Sequence, residues 1–211
     1  MKKKILLPIL GILFVLSFVL PGYGGRAGIG VTAGYALPGN TNLDGALTYG
    51  INFCYEITKY FALEVSGLRF QSGVTGEVDS LSDGTLTVMP LQLSLQGRYP
   101  VNNQLVPYVS GGIGYYLNSF ALDNEVVNNW NAVNFDIEES LEHAIGFHFG
   151  AGIDYFIIPN IAVNADFKYC IFKAAGTWTL TDLTGTATAS GDIAEIDLNT
   201  VIFTAGVKYF F

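Results

Sequence analysis

The sequence predicts an all-β fold: a transmembrane up-and-down antiparallel β-barrel of eight strands, with short periplasmic turns and longer extracellular loops. Three observations carry this expectation. The stretch Ile202–Phe211 alternates strictly, with Phe203, Ala205, Val207, Tyr209 and Phe211 on one side and Ile202, Thr204, Gly206, Lys208 and Phe210 on the other. A period of two that ends on an aromatic describes a strand with one face in an oily medium. Half the residues are hydrophobic and only 13% are charged, yet no long apolar run follows the N-terminus, as expected when the apolar residues are spread over alternating membrane strands. Finally, the connections alternate between short and long, and eight such segments close a barrel without a free edge.

The strands can be justified in order. The first runs near 27–35, with Ile29, Val31, Ala33 and Tyr35 outward and Gly28, Gly30, Thr32 and Gly34 inward. The second, near 46–57, is the cleanest: Leu47, Tyr49, Ile51, Phe53, Tyr55 and Ile57 alternate with Thr48, Gly50, Asn52, Cys54 and Glu56. The third, near 61–71, puts Phe61, Leu63 and Val65 outward, but its phase is expected to flip at Gly67, because Leu68 and Phe70 are apolar; a bulge or exit from the membrane would cause that. The fourth lies near 87–99, with Pro90 expected at the extracellular rim because it cannot donate to a ladder. The fifth, sixth and seventh lie near 106–118, 145–156 and 161–172, and the eighth near 196–211. Residues 36–45, 72–86, 119–144 and 173–195 form the long loops. In the third of these, Asn134 to His143 is expected to form a short helix, with Asp136 and Glu139 as a capping box.

Residues 1–25 read as a secretory signal: Lys2, Lys3 and Lys4, an apolar run from Ile5 to Leu20, then small residues at Pro21–Gly25. An uncleaved anchor is the alternative, against which the short apolar run argues. The barrel then occupies 26–211, with both termini periplasmic in the bacterial outer membrane. Without the signal, ten basic residues fall to seven against 18 acidic, a net charge near −11. Nucleic-acid binding is therefore disfavoured. The excess acid falls mostly in the expected loops, where it is either solvated or binds bridging cations at the lipopolysaccharide surface. Cys54 and Cys170 fall on non-neighbouring strands and are expected to be free thiols in the lumen.

The candidate site is the inward polar set Glu56, Glu64, Arg98, Asp154, Asp166, Lys168 and Lys208. In a narrow barrel these groups must pair or stay wet. They form either a structural ladder or a polar plug across a pore. Inward glycines, Gly28, Gly112, Gly146 and Gly152 among them, either open a cavity or make room for Tyr108, Tyr116, Phe172 and Phe210. Leu81, Phe120, Leu122 and Trp130 are candidates for an apolar mouth, or for loop packing. Glu139 and His143 have helical metal-pair spacing but no further ligand, so no metal site is expected. His148 has Ser66, Ser94 and Ser110 as lumen partners, and nothing in the sequence selects one. No enzyme activity and no cofactor are expected.

Several segments in order, Met89–Gln96, Pro107–Tyr115, Gly150–Phe156, Ile161–Tyr169 and Val201–Phe211, resemble the outer membrane protein W family. Arg69, in Gly67-Leu-Arg-Phe70, stands where that family usually has proline, and the first loop is short. The resemblance implies an outer-membrane channel for passive transport of small, mainly hydrophobic molecules, with sideways exit to the bilayer. The alternative is a non-conducting structural or adhesive barrel that acts through its extracellular loops. Expected partners are outer-membrane lipid and lipopolysaccharide, small hydrophobic solutes under the channel reading, and no nucleic acid, with a monomer favoured.

Overall fold

A computed structural model of the chain describes residues 25–74, 82–184 and 188–211. The expected signal lies, but for Gly25, outside the described residues, as does Leu81. Eight strands form a closed antiparallel barrel: β1 Arg26–Pro38, β2 Ala46–Thr58, β3 Phe61–Val74, β4 Gly84–Arg98, β5 Leu105–Leu122, β7 Ala144–Ile158, β8 Ile161–Ile171 and β11 Thr200–Phe210. Three more strands, β6 Phe135–Leu141, β9 Lys173–Asp182 and β10 Thr188–Asp197, form a separate sheet in the order β10-β9-β6. Among the described residues one helix, α1 Asn124–Ala132, precedes β6.

Closure follows from the ends of the chain. β1 pairs with β11 from Gly28↔Phe210 to Pro38↔Thr200, so neither strand is left as an edge. Following hydrogen-bonded partners round the wall from Gly28, through Cys54, Glu64, Ser94, Gly112, His148, Cys170 and Thr200, returns to β1 at Pro38. That stagger tilts the strands and sets the width of a barrel that side chains can fill. One end carries the termini and the short connections. The other, the loop end, carries the longer ones.

Three expectations are corrected. β3 does not change phase at Gly67: Leu68 and Phe70 are buried in the lumen, Arg69 and Gln71 are outside, and the register with β2 and β4 is unbroken there. The apolar residues are therefore lumen packing, and no bulge exists. β4 continues past Pro90 to Gly84, and the missing donor of Pro90 falls where the β3–β4 ladder has a gap between Gly67↔Leu91 and Phe70↔Val88. The 134–143 helix is the strand β6, and the helix lies earlier, at Asn124–Ala132. Asn134, at φ 67, separates the two, since asparagine tolerates the left-handed region better than most residues. Lastly, residues 196–199 do not belong to the final strand: β10 ends at Asp197 and β11 begins at Thr200.

The small sheet is tied to the barrel. Its inner face, with Leu141, Gly176 and Ile193 in register, joins the apolar cluster at the loop end. Glu139 accepts hydrogen bonds from Ser82 N at 3.1 Å and Ser82 Oγ at 2.7 Å, linking the second loop to β6. Glu139→Ala is expected to cost about 1–3 kcal/mol locally rather than globally. Protease nicking of the second loop should rise while the barrel's heat-modifiable gel shift stays put; unchanged nicking would show that the link does not hold the loop.

Candidate functional site

The lumen is built in three layers. At the terminal end, Cys54, Ala62, Val106, Phe156, Ala162 and Phe210 form an apolar cluster. Arg26 lies over it, with its guanidinium 4.4 Å from the Phe210 ring centre and 4.8 Å from that of Phe156.

A continuous ladder of alternating charge starts beside this cluster, at Arg26 on the terminal rim, and climbs past it. Arg26 pairs with Glu56 at 2.8 Å, Glu56 with Arg98 at 3.1 Å, and Arg98 with Asp154 at 2.9 Å. Asp154 meets Lys208 at 3.2 Å, Lys208 meets Glu64 at 3.3 Å, and Glu64 meets Lys168 at 3.1 Å. Lys168 lies 3.9 Å from Asp166, which accepts the Tyr108 hydroxyl at 2.8 Å. Gln96 donates to Glu64 at 3.0 Å. All seven residues singled out from the sequence thus meet in one network. Seven of the eight barrel strands supply them and Arg26, and the chain of signs crosses the lumen where Lys208 of β11 and Lys168 of β8 meet Glu64 of β3. Arg26, the first residue after the expected signal, was not among those seven. Its signal was phase: it shares the inward parity of Gly28 and Gly30 and gives the four acids a fourth base.

The upper layer is apolar. Leu68, Phe70, Val88, Cys170 and Ile202 are buried, and Tyr116 stacks on Phe172 with ring centres 3.8 Å apart. Here the inward glycines make room for rings and for neighbouring strands rather than opening a cavity. A Cβ on Gly146 would meet the Ile171 carbonyl and, at 3.1 Å, the Tyr116 ring. One on Gly152 would meet the Tyr108 ring. A space of about 10 Å³ remains beside Asn52, Glu64, Asp166 and Lys168, about one water molecule's worth.

Among the mouth candidates, Phe120 packs partly buried against the upper cluster, Leu122 is half-buried at the end of β5, and Trp130 is exposed on α1. Trp178 of β9, not singled out from the sequence, joins Phe120 in covering the cluster. Glu139 and His143 do not share a helix: Glu139 is held by Ser82, and His143 Nδ1 accepts from Asn118 N at 3.3 Å. Among the described residues no cluster of ligands could hold a metal.

His148 Nε2 is 2.7 Å from Ser94 Oγ, which settles which serine it meets. Both are buried, and His148 Nδ1 has no partner among the described residues, so no carboxylate orients the ring. A nucleophile pair needs that third group and access for substrate; this contact is a packing hydrogen bond. Cys54 and Cys170 are free and buried.

The sequence pattern of the outer membrane protein beta-barrel domain matches residues 11–211. Among solved structures, the fold is similar to the outer membrane protein OprG from Pseudomonas aeruginosa, with TM-score 0.60 and 18% identity over 89% of this chain and 94% of that one. It is also similar to Neisserial surface protein A, with TM-score 0.58 and 13% identity over 88% and 96% of the two chains. The attachment invasion locus protein Ail of Yersinia pestis gives TM-score 0.51 and 15% identity over 89% and 97%. No curated protein matches the chain significantly. At these identities the structural likeness concerns the fold alone.

Proposed function

We propose, starting from the premise that this chain belongs to the outer membrane protein beta-barrel domain family, that it is a non-conducting barrel whose working surface is the folded sheet at its loop end. The family places the barrel in the bacterial outer membrane. The termini then face the periplasm after loss of an N-terminal signal, and the β6–β9–β10 sheet faces outward.

One observation carries this reading: the charge ladder crosses the middle of the lumen with only about 10 Å³ left beside it, the recess of about 580 Å³ at the terminal end reaches no further than Arg98, Glu56 and Phe156 in its lining, and a three-stranded sheet is folded at the loop end. The ladder of four acids and four bases has the composition of a support, with each charge compensated where water is scarce. The outer face of the sheet is polar throughout. Across its register lie Asp136–Thr181–Thr188, Glu138–Thr179–Ser190 and Ser140–Thr177–Asp192. A hydroxyl and carboxylate surface held at the loop end of the barrel suits contact with polar surfaces of other cells or molecules.

A second reading is favoured by the upper layer. Leu68, Phe70, Val88 and Ile202 give the loop-end half of the lumen apolar walls above a charged floor. Parting of the Tyr116–Phe172 stack would admit a small apolar solute that leaves sideways, in line with the outer membrane protein W likeness of the strands. Liposome uptake and planar-bilayer conductance of the refolded protein decide between the two. The first reading expects background flux for both an apolar solute and a sugar, and loss of surface binding when residues 123–143 are replaced by a short linker. Selective uptake of the apolar solute would overturn it in favour of the second.

A further inference from the structure

The outer wall carries a feature that neither reading uses. Outward positions on the eight barrel strands are apolar through the membrane belt, and Arg69 on β3 is the one charged side chain among those described. No acidic partner lies within ion-pair distance of it among the described residues. A cation on the lipid face is tolerated near the headgroup boundary and not at the bilayer centre. Its neighbours mark that boundary. Outward residues below it on β3 are Val65, Leu63 and Phe61; above it, Gln71 bonds Thr87 at 3.1 Å.

One strand away from Arg69, beginning at its partner Tyr49 on β2, the wall is shallowly depressed. A depression of about 950 Å³ is floored by Ala33, Ala205 and Ala165 and walled by Tyr49, Phe203 and Phe167. The arginine and the floor share one hydrogen-bonded row, Arg69↔Tyr49↔Ala33↔Ala205↔Ala165. Four interstrand steps make the row about 19 Å long. The barrel's stagger makes it slope: Arg69 lies far along β3 from the terminal end, whereas Ala165 lies near the start of β8. A cation with no acidic partner among the described residues thus stands one strand beyond the upper end of an apolar trough that descends into the belt.

We infer that this face binds one outer-leaflet lipid that bears both phosphate and acyl chains, with the phosphate on Arg69 and a chain in the trough over Ala33, Ala205 and Ala165. Charge decides the occupant. A second copy of this chain would bring only apolar residues to the trough and leave the guanidinium unpaired, whereas a phosphorylated lipid matches both ends at once, and arginine binds phosphate in a fixed fork geometry. The site takes its leaflet from the outward orientation proposed above, but binding in detergent does not depend on it.

Native mass spectrometry of the refolded protein in detergent tests this, with bisphosphorylated lipid A, its dephosphorylated form and inorganic phosphate as separate probes. Lipid A should bind one to one. Arg69→Ala should weaken it by at least about ten-fold, the loss of one charge-assisted contact, and Arg69→Lys should retain part. Ala205→Phe, which fills the trough, should weaken it while the heat-modifiable gel shift shows a folded barrel. Equal binding by Arg69→Ala, or of the dephosphorylated lipid, would overturn the phosphate contact. Unchanged binding by Ala205→Phe, or inorganic phosphate binding as tightly as lipid A, would overturn the acyl trough, and a dimer in place of a lipid adduct would assign the face to a second copy.

Discussion

Glu64→Gln is expected to destabilise the barrel by about 3–5 kcal/mol, because it removes one partner from a buried network and leaves two lysines short of charge. Glu64 is 3% exposed and takes Lys168, Lys208 and Gln96 on its two oxygens. Lys208 keeps Asp154 at 3.2 Å, but Lys168 is left with Asp166 at 3.9 Å. Denaturant unfolding in micelles, read by the gel shift, measures the loss. Removing both signs together, Glu64→Gln with Lys168→Met, should recover part of it, since the cost lies in the unpaired charge rather than in the absence of a pair. The contrast is Lys173–Asp197, equally short at 3.2 Å but more than half exposed on both sides; Lys173→Ala should cost no more than about 1 kcal/mol. A Glu64→Gln loss no larger than that of Lys173→Ala would mean that water reaches the ladder and that the lumen is open.

Most of the barrel was legible because lipid makes the outward pattern simple. Leu47 to Ile57 on β2 and Phe203 to Phe211 at the C-terminus alternate against small or polar residues, and a period of two cannot be confused with a helix over that length. The inward ladder was legible for the same reason, since parity alone assigns Asp154 and Lys208 to the lumen. What failed was the rule that inward means polar. Leu68 and Phe70 obey the parity of Glu64 and Ser66, but their apolar character reads as a change of phase, because nothing local says that the loop-end half of the lumen is dry.

The loop sheet was hidden differently. Phe135, Ile137 and Leu141 do alternate, yet Glu139 interrupts them at the position that completes a capping box with Asp136. β6 is a strand only because β9, which rises from β8 on the neighbouring stretch of wall, pairs with it at Leu141↔Gly176 through Phe135↔Asp182. A pairing between residues so far apart in the chain leaves no mark on either segment alone. Glu139 itself is explained only by Ser82, on the second loop. Local propensity was overruled by contacts that exist only once the barrel has closed.

The Tyr116→Ala, Phe172→Ala double variant is the sharpest test of what the filled lumen means. Each ring is buried, and the two lie parallel at 3.8 Å, backed by Leu68, Phe70, Val88 and Ile202. Truncation of a buried aromatic costs about 3–5 kcal/mol. Because these two share one contact, the pair should cost less than the sum of the singles. The cavity created is apolar and stays open toward the loop end once Phe120 and Trp178 can shift. Below it, nothing has changed: Glu64, Lys168 and Lys208 still span the lumen, and Phe156 and Phe210 still close the terminal end beneath Arg26. The non-conducting reading therefore expects a specific combination, in which the variant gains saturable binding of a small apolar dye without gaining conductance or sugar flux. Uptake of the apolar solute into liposomes by the variant, with the sugar still excluded, would mean that the wall between the upper layer and the bilayer opens laterally. The stacked pair would then be a gate above a passage, and the charged ladder would be the floor that turns the solute sideways.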